Sequence, residues 1–386
     1  MKPVVVACSA GIDSMALLDQ VAKKRSVVVA HVNYKKRKSA DDDQQILESY
    51  CKEKQIPIFV MNAKEPTGNF QSWARDVRYD FFEQVAKKVG ADTIYVAHHM
   101  DDCIETYLFQ KQTNRLCQQY GIGELTSRKG MKICRPFLRK EKKELEQYCM
   151  DHHVPVGCDE TNFEDAYTRN QIRHQVVEKM SKEQKQAMMD EIDRENQKLF
   201  NRRTQAVKLL EQPFQVWKKE QDAWFILDTF LSQITHRHYG KKYLIDLLKQ
   251  LEKPHCIQVD NYWLENYQGY LLCEKESSPI HKVFHSIIFG DYERFSLNKS
   301  GKIIESIKVT DKDFPLTIRN VQDGDAIQLR MGTKSIHRFF IDRKISHIER
   351  KKWLVVTNAK NEVIFVPGIG CDINHFSEKP SVFMVQ

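Results

Sequence analysis

The first half of the chain is predicted to fold as an α/β domain, a parallel sheet with helices on both faces. Three observations predict it. Short apolar runs at residues 3–8, 26–32, 58–61 and 93–97 alternate with helical patterns at 15–24, 41–55, 70–89 and 101–111, the rhythm of strand–helix–strand units. The first apolar run passes directly into a small-residue turn, Ser9-Ala10-Gly11-Ile12-Asp13-Ser14. Asp13, His31 and His98 each fall at the carboxyl end of a different strand, where open α/β sheets hold their ligands.

Bulk properties fit a multidomain protein. With 386 residues the chain is long enough for two or three domains, and 41% hydrophobic with 29% charged residues describes an ordinary water-soluble composition. No apolar run is long enough to span a membrane, and the N-terminus enters a strand without a secretory pattern. The formal net charge of +8 permits nucleic-acid binding without requiring it. None of the ten cysteines is spaced C-x-x-C, which excludes zinc ribbons and thioredoxin-type pairs. Cys8, Cys103 and Cys149 sit in apolar or helical contexts, as reduced thiols of a cytoplasmic protein do.

The turn at residues 9–14 carries the most chemistry. A strand, a tight turn and a helix start place backbone N–H groups and two hydroxyls at a positive helix end, a site for phosphate. It lacks the lysine of a Walker loop and the G-x-G-x-x-G of a dinucleotide fold. A plain strand-to-helix turn capped by Ser9 is the competing reading. Ala10 adds a methyl that costs little unless its position needs a positive φ.

Three more segments follow. In Ala97-His98-His99-Met100-Asp101-Asp102-Cys103-Ile104-Glu105-Thr106, a helix would bring His98, Asp102 and Glu105 onto one face. A histidine and two carboxylates there suit Mg²⁺ or the ammonium groups of a cationic substrate. The alternative is that the acids merely complement the helix dipole. Residues 74–82 would form a helix that buries Val77, Phe81 and Val85 and turns Arg75 and Arg78 outward, where a guanidinium suits phosphate. Arg135-Pro136-Phe137-Leu138, Asp159-Glu160-Thr161-Asn162 and a segment from Tyr167 to Arg173 come next. There Arg169 and Arg173, four residues apart, would stack on one helix face.

Beyond this the chain is polar and helix-prone from residue 170 to 212, ending at Pro213. Aromatic residues mix with helical patterns as far as 275, which predicts a small helical domain. From about residue 303 strands dominate, at 315–321, 353–358 and 363–366, with a hairpin turn at Asn358-Ala359-Lys360-Asn361. The expected domains are 1–175, a helical linker 176–213, a helical middle domain 214–300 and an α+β domain 301–386.

Taken together, S-x-G-x-D-S, H-V-N, A-x-R-x-x-R-Y-x-F-F, H-H-x-D-D-x-x-E-T, R-P-x-L and D-x-T-N…Y-x-R-N-x-I-R between residues 9 and 173, with residues 333–342 and Val366-Pro367-Gly368-Ile369-Gly370 near the end, resemble the tRNA(Ile)-lysidine synthase family of PP-loop ATP pyrophosphatases. The resemblance implies an adenine nucleotide alpha hydrolase-like catalytic fold. It also implies a ligase that joins free lysine to C2 of wobble cytidine 34 in a CAU-bearing isoleucine tRNA, through an adenylated intermediate, changing codon specificity from AUG to AUA. Its expected cofactors are ATP and Mg²⁺. By the same resemblance Ser9, Ala10, Gly11, Ile12, Asp13 and Ser14 bind ATP and Asp13 holds the metal. Asp102 and Glu105 bind lysine. Asp13, Arg78, His98, Asp102 and Glu105 act in catalysis, and Arg169, Arg173, Lys334 and Arg338 contact the tRNA.

The chain departs from the family pattern at Ala10, Tyr34, Ala97 and the loop Gln110–Arg115. A tRNA thiolase of the same loop family is the alternative, and it would need the paired cysteines this chain lacks. A non-catalytic tRNA-binding protein is another, favoured only by Ala10. The sequence leaves a homodimer open.

Overall fold

The computed structural model describes residues 2–35, 40–63, 70–157 and 167–386, with the side chains of 70–72 and 167–170 outside that description. The first elements are β1 (Val4–Ala7), α1 (Ile12–Ala22), β2 (Val27–Asn33), α2 (Ala40–Glu53), β3 (Ile58–Asn62), α3 (Phe70–Val89), β4 (Thr93–Tyr95) and α4 (Met100–Thr113). A hairpin of β5 (Leu125–Arg128) and β6 (Met131–Cys134) follows, then α5 (Lys142–Asp151), α6 (Tyr167–Gln175) and α7 (Lys182–Leu210). Lys129 and Gly130, both at positive φ, make the two-residue turn of the hairpin.

The strands order as β3-β2-β1-β4-β6-β5, all parallel except β5. Valine repeats without alternation in β1 because both faces are covered. Val4 and Val6 pack with α1, α2 and α5 through Leu17, Leu47 and Leu145. Val5 packs on the other face with Phe82 and Val85 of α3. In α3, Val85 is buried and Arg75 and Arg78 are exposed as expected, whereas Val77 and Phe81 are half-buried and Tyr79 and Phe82 take the other core positions. β2 and β3 extend from one edge of β1, β4 and β6 from the other. This reversal opens a crevice at the carboxyl ends of β1 and β4.

Helix α4 buries Cys103, Ile104 and Tyr107 against Ile172 of α6 and Met189 and Ile192 of α7. A buried ion pair, Lys185 Nζ to Asp101 Oδ1 at 2.8 Å, clamps α7 to the start of α4.

Two compact units divide the chain, Met1–Arg202 and Arg203–Gln386. The second starts with the expected helices, α8 (Phe214–Trp217), α9 (Ala223–Thr235) and α10 (Lys241–Gln250). From there the helical expectation for 214–300 gives way to strands. β7 (Ile257–Val259), β8 (Tyr262–Tyr267) and β9 (Tyr270–Lys275) form an antiparallel sheet. Aromatic residues suited to a pleated surface fill β8, and Gln268-Gly269, both at positive φ, close its turn.

β10 (His281–Phe284), β11 (Gly290–Asp291) and β12 (Ser296–Asn298) pair into sheets completed by later strands. Those strands are β13 (Ser306–Ile307), β14 (Leu316–Asn320), β15 (Ala326–Leu329), β16 (Gly332–Ser335), β17 (Leu354–Thr357), β18 (Val363–Val366), β19 (Gly370–Cys371) and β20 (Val382–Val385), with α11 (Ile336–Asp342) and α12 (His347–Lys352) inserted. β10 pairs with β14, and β12 with β20.

Buried charges tie this unit together. The Glu265 carboxylate of β8 accepts the N–H groups of His347 and Ile348, both at 3.0 Å, capping α12 from another sheet. His375 sits between Asp372 and Asp313 and donates Nε2–H to Asp313 at 3.0 Å. Burial pulls the His375 pKa down, but the two carboxylates outweigh it and hold it above the ordinary value of 6.5.

This stabilisation is therefore complete below that ordinary value and fades as pH climbs through the raised one. Urea unfolding of the second unit is expected to show stability declining as pH rises above about 6.5. His375→Asn should flatten that decline, and an unchanged slope in the variant would refute the imidazolium clasp.

Candidate active site

The turn after β1 is braced from within. Ser14 is buried, donates its hydroxyl to the Gly11 carbonyl at 2.9 Å and accepts the Ser9 N–H at 3.1 Å. Ser9 is exposed at the rim. Gly11 is the extended N-cap of α1 and makes no side-chain cap, so the first N–H groups of the helix face the crevice with Asp13 in the same turn. Ala10 lies in the left-handed region at φ +69° and is fully buried. This is the one position in the turn where a methyl is conformationally costly, by about 1–2 kcal/mol.

At the end of β4, helix α4 begins at Met100, one residue before the predicted start. His99 is its N-cap: Nδ1 accepts the Asp101 N–H at 3.2 Å, while Asp102 Oδ2 accepts the His99 N–H at 2.9 Å. The extended backbone this box requires at residue 99 (φ −119°, ψ −173°) leaves His98 outside the helix. The expectation that His98, Asp102 and Glu105 share a helical face is corrected accordingly; only the two acids do.

With Nδ1 accepting, the His99 proton lies on Nε2, which stands 3.7 Å from Asp13 Oδ2 and 3.5 Å from Asp102 Oδ2. Asp102 lies 4.0 Å from Arg173, which in turn grips Glu105 through Nε at 2.7 Å and Nη2 at 3.0 Å. The phosphate-type turn and the acidic helix thus meet in one crevice.

The two carboxylates are tuned apart. Burial pushes Asp102 up, but His99, His98, the His99 N–H and Arg173 outweigh it and hold it below the usual range. Burial raises Glu105, and Arg173 only partly offsets this. Burial also depresses His98 to about 4, helped by Arg135, Arg75 and Arg78 and opposed by Asp102. Arg78, exposed on α3, acts on both His98 and Tyr34. Tyr34 donates to the Ala74 carbonyl at 2.9 Å.

A PP-loop domain model matches residues 1–180, and a model described as the TilS substrate C-terminal domain matches residues 316–383. The tRNA(Ile)-lysidine synthase of Mycoplasma mycoides is 28% identical over 395 residues, covering 94% of this chain and 96% of that relative. That of Mycoplasma pneumoniae is 38% identical over 216 residues, covering 54% of this chain and 74% of the relative. The chain belongs to the tRNA(Ile)-lysidine synthase family.

Of the positions that the lysidine synthase pattern marked, Ser9, Ala10, Gly11, Ile12, Asp13 and Ser14 form the turn, and Arg78, His98, Asp102 and Glu105 lie around the same crevice. Arg173 does not present an open basic face as expected; its guanidinium is drawn onto the buried Glu105, where an unpaired carboxylate would be costly. The Arg169 side chain and residues 159–162 lie outside the described residues. Lys334 of β16 and Arg338 of α11 come together in the second unit, sharing Asp342 at 3.2 and 3.1 Å. Two residues that the structure brings to the crevice were not among those expected. His99 was visible only as the second of a histidine pair, and its capping geometry was not legible. Arg135 stood within R-P-x-L with no partner in view.

For Ala10, relief of the strained φ and loss of a buried methyl worth about 0.8 kcal/mol nearly cancel. Ala10→Gly is expected to leave stability within about 1 kcal/mol. Ala10→Val adds a β-branch at positive φ to a fully enclosed site and should cost about 3 kcal/mol or more. Thermal unfolding of the two variants checks both.

Proposed function

We propose that this chain ligates free lysine to C2 of wobble cytidine 34 of a CAU-bearing isoleucine tRNA, cleaving ATP to AMP and pyrophosphate, and so changes the codon read from AUG to AUA. The observation that supports this reading is the continuous run from Asp13 through His99, Asp102 and Arg173 to Glu105, which sets a phosphate-binding turn against a cation-binding pair of acids.

In the first step the N–H groups of the turn and the Ser9 hydroxyl hold pyrophosphate, while Arg78 stabilises charge on the adenylyl group passing to the cytidine oxygen. Asp13 is a half-exposed carboxylate beside that turn. This fits Mg²⁺, which is commonly held by one or two carboxylates with phosphate oxygens and water completing its shell. Bound there, the ion would supply charge neutralisation on the departing pyrophosphate.

In the second step lysine displaces AMP. Its ε-amine is nucleophilic only when neutral, and its free pKa is about 10.4, so a proton acceptor is required. Asp102, held anionic, suits the anchoring of an ammonium. Glu105, raised by burial, suits proton acceptance once lysine replaces Arg173 beside it. The tRNA would lie along Arg169 and, in the second unit, Lys334 and Arg338. ATP, lysine and tRNA are cytoplasmic substrates, and among the described residues no helix is long and apolar enough to cross a membrane.

The reading is tested with purified chain, ATP, labelled lysine and a CAU-bearing isoleucine transcript. Label should enter the RNA only when ATP is present, and a methionine transcript with the same anticodon should stay unlabelled. Asp102→Asn should keep tRNA affinity and lose lysine transfer by about 100-fold or more. A variant that still transfers lysine normally would remove Asp102 from the site.

A further inference from the structure

The contact between His98 and Arg135 determines which proton the imidazole carries. Arg135 follows β6, the neighbour of β4, and is 4% exposed. Its Nη1 donates to the Gly123 carbonyl at 2.8 Å and to Thr126 Oγ1 at 2.9 Å, which fixes the guanidinium plane. Its Nε donates to His98 Nδ1 at 3.1 Å. A guanidinium has only donors and keeps its proton. The nitrogen facing it must accept, so neutral His98 carries its hydrogen on Nε2. Protonating Nδ1 would set N–H against N–H beside a fixed cation. The groups acting on the ring are Asp102 from α4, Arg75 and Arg78 from α3, and Arg135 itself; burial and the three arginines disfavour a second proton.

We propose that His98 is a fixed hydrogen-bond donor, through Nε2–H, to a phosphate oxygen of the adenylyl group, and that Arg135 is the positioning residue that sets this tautomer. His98 is therefore not the base that activates lysine. The inference rests on the lysidine synthase reading. The charged groups around the ring are one carboxylate, Asp102, whose Oδ2 is already engaged as the helix cap, and three arginines; that net positive surrounding suits an anion as the acceptor of Nε2–H, and phosphate is the anion the reaction supplies.

In the transfer step one proton leaves the ε-ammonium for a carboxylate of α4. The free amine then bonds to C2. The C2–O bond breaks with its electron pair going to the phosphate oxygen of AMP, and the second amine proton passes to the departing phosphate. His98 steadies that oxygen throughout and gives up no proton.

The tautomer can be read directly. In the full chain labelled with ¹⁵N-histidine, long-range ¹⁵N–¹H correlation distinguishes Nε2–H from Nδ1–H, and the His98 signals are those lost in His98→Gln. The wild-type chain should show Nε2–H from about pH 6 to pH 8, and Arg135→Met should give a mixture of tautomers. Lysine transfer supplies the second measurement. His98→Gln keeps an N–H donor near Nε2 and should stay within about tenfold of wild type in kcat, whereas His98→Ala should fall about 100-fold with little change in the lysine KM.

A wild-type Nδ1–H tautomer overturns the proposal. So does His98→Gln as inactive as His98→Ala, or an acid limb of the kcat profile that vanishes in His98→Gln. Where His98→Ala does not fold, the wild-type tautomer still decides. A wild-type chain that transfers no lysine defeats the lysidine synthase reading instead, since the tautomer is measured without turnover.

Discussion

The geometry of the crevice depends on one imidazole. The strand order reverses beside β1, so the turn after β1 and the helix after β4 must meet, and His99 is where they do. Its Nδ1 is held by the Asp101 N–H as the cap of α4, which leaves a single N–H to face Asp13 and Asp102 together. At 3.7 and 3.5 Å this is an electrostatic clasp and not a pair of short hydrogen bonds. The capping box also gives Asp102 two roles, since the oxygen that fixes the helix start belongs to the carboxylate that faces the crevice.

Around that clasp Asp102 and Glu105 lie on α4 with Arg173 of α6 against them, while Arg75 and Arg78 come from α3 and Arg135 follows β6. Burial acts on His98, Asp102 and Glu105 alike, and the outcome depends on the neighbours. Asp102 has two imidazoles and an N–H to hold it anionic, whereas Glu105 has mainly Arg173 and ends up raised. Two carboxylates one helical turn apart with opposite shifts are suited to different tasks, one to binding a cation and one to accepting a proton.

The second unit follows a similar logic. Its sheets are short, and buried ionic groups fix their mutual placement. Glu265 caps a helix eighty residues away in sequence, and His375 bridges two acids from separate segments. On its surface Lys334 and Arg338 share Asp342, so one carboxylate partly neutralises the basic pair and sets the orientation of both side chains.

By itself the sequence determined the alternation of strands and helices in the first half, the phosphate-type turn, the acidic helix and the family, because period, turn chemistry and motif spacing are local properties. Only the tertiary structure decided the partners. It placed Arg173 on Glu105 and not on an open face, His99 between Asp13 and Asp102, Arg135 behind His98, and β10 and β12 in the terminal sheets. It also showed that Ala10 occupies the left-handed conformation on which its cost depends. The physical reason is the same in each case: a residue's neighbours along the chain set its backbone preference, whereas which distant charge or strand it meets follows from how the layers pack.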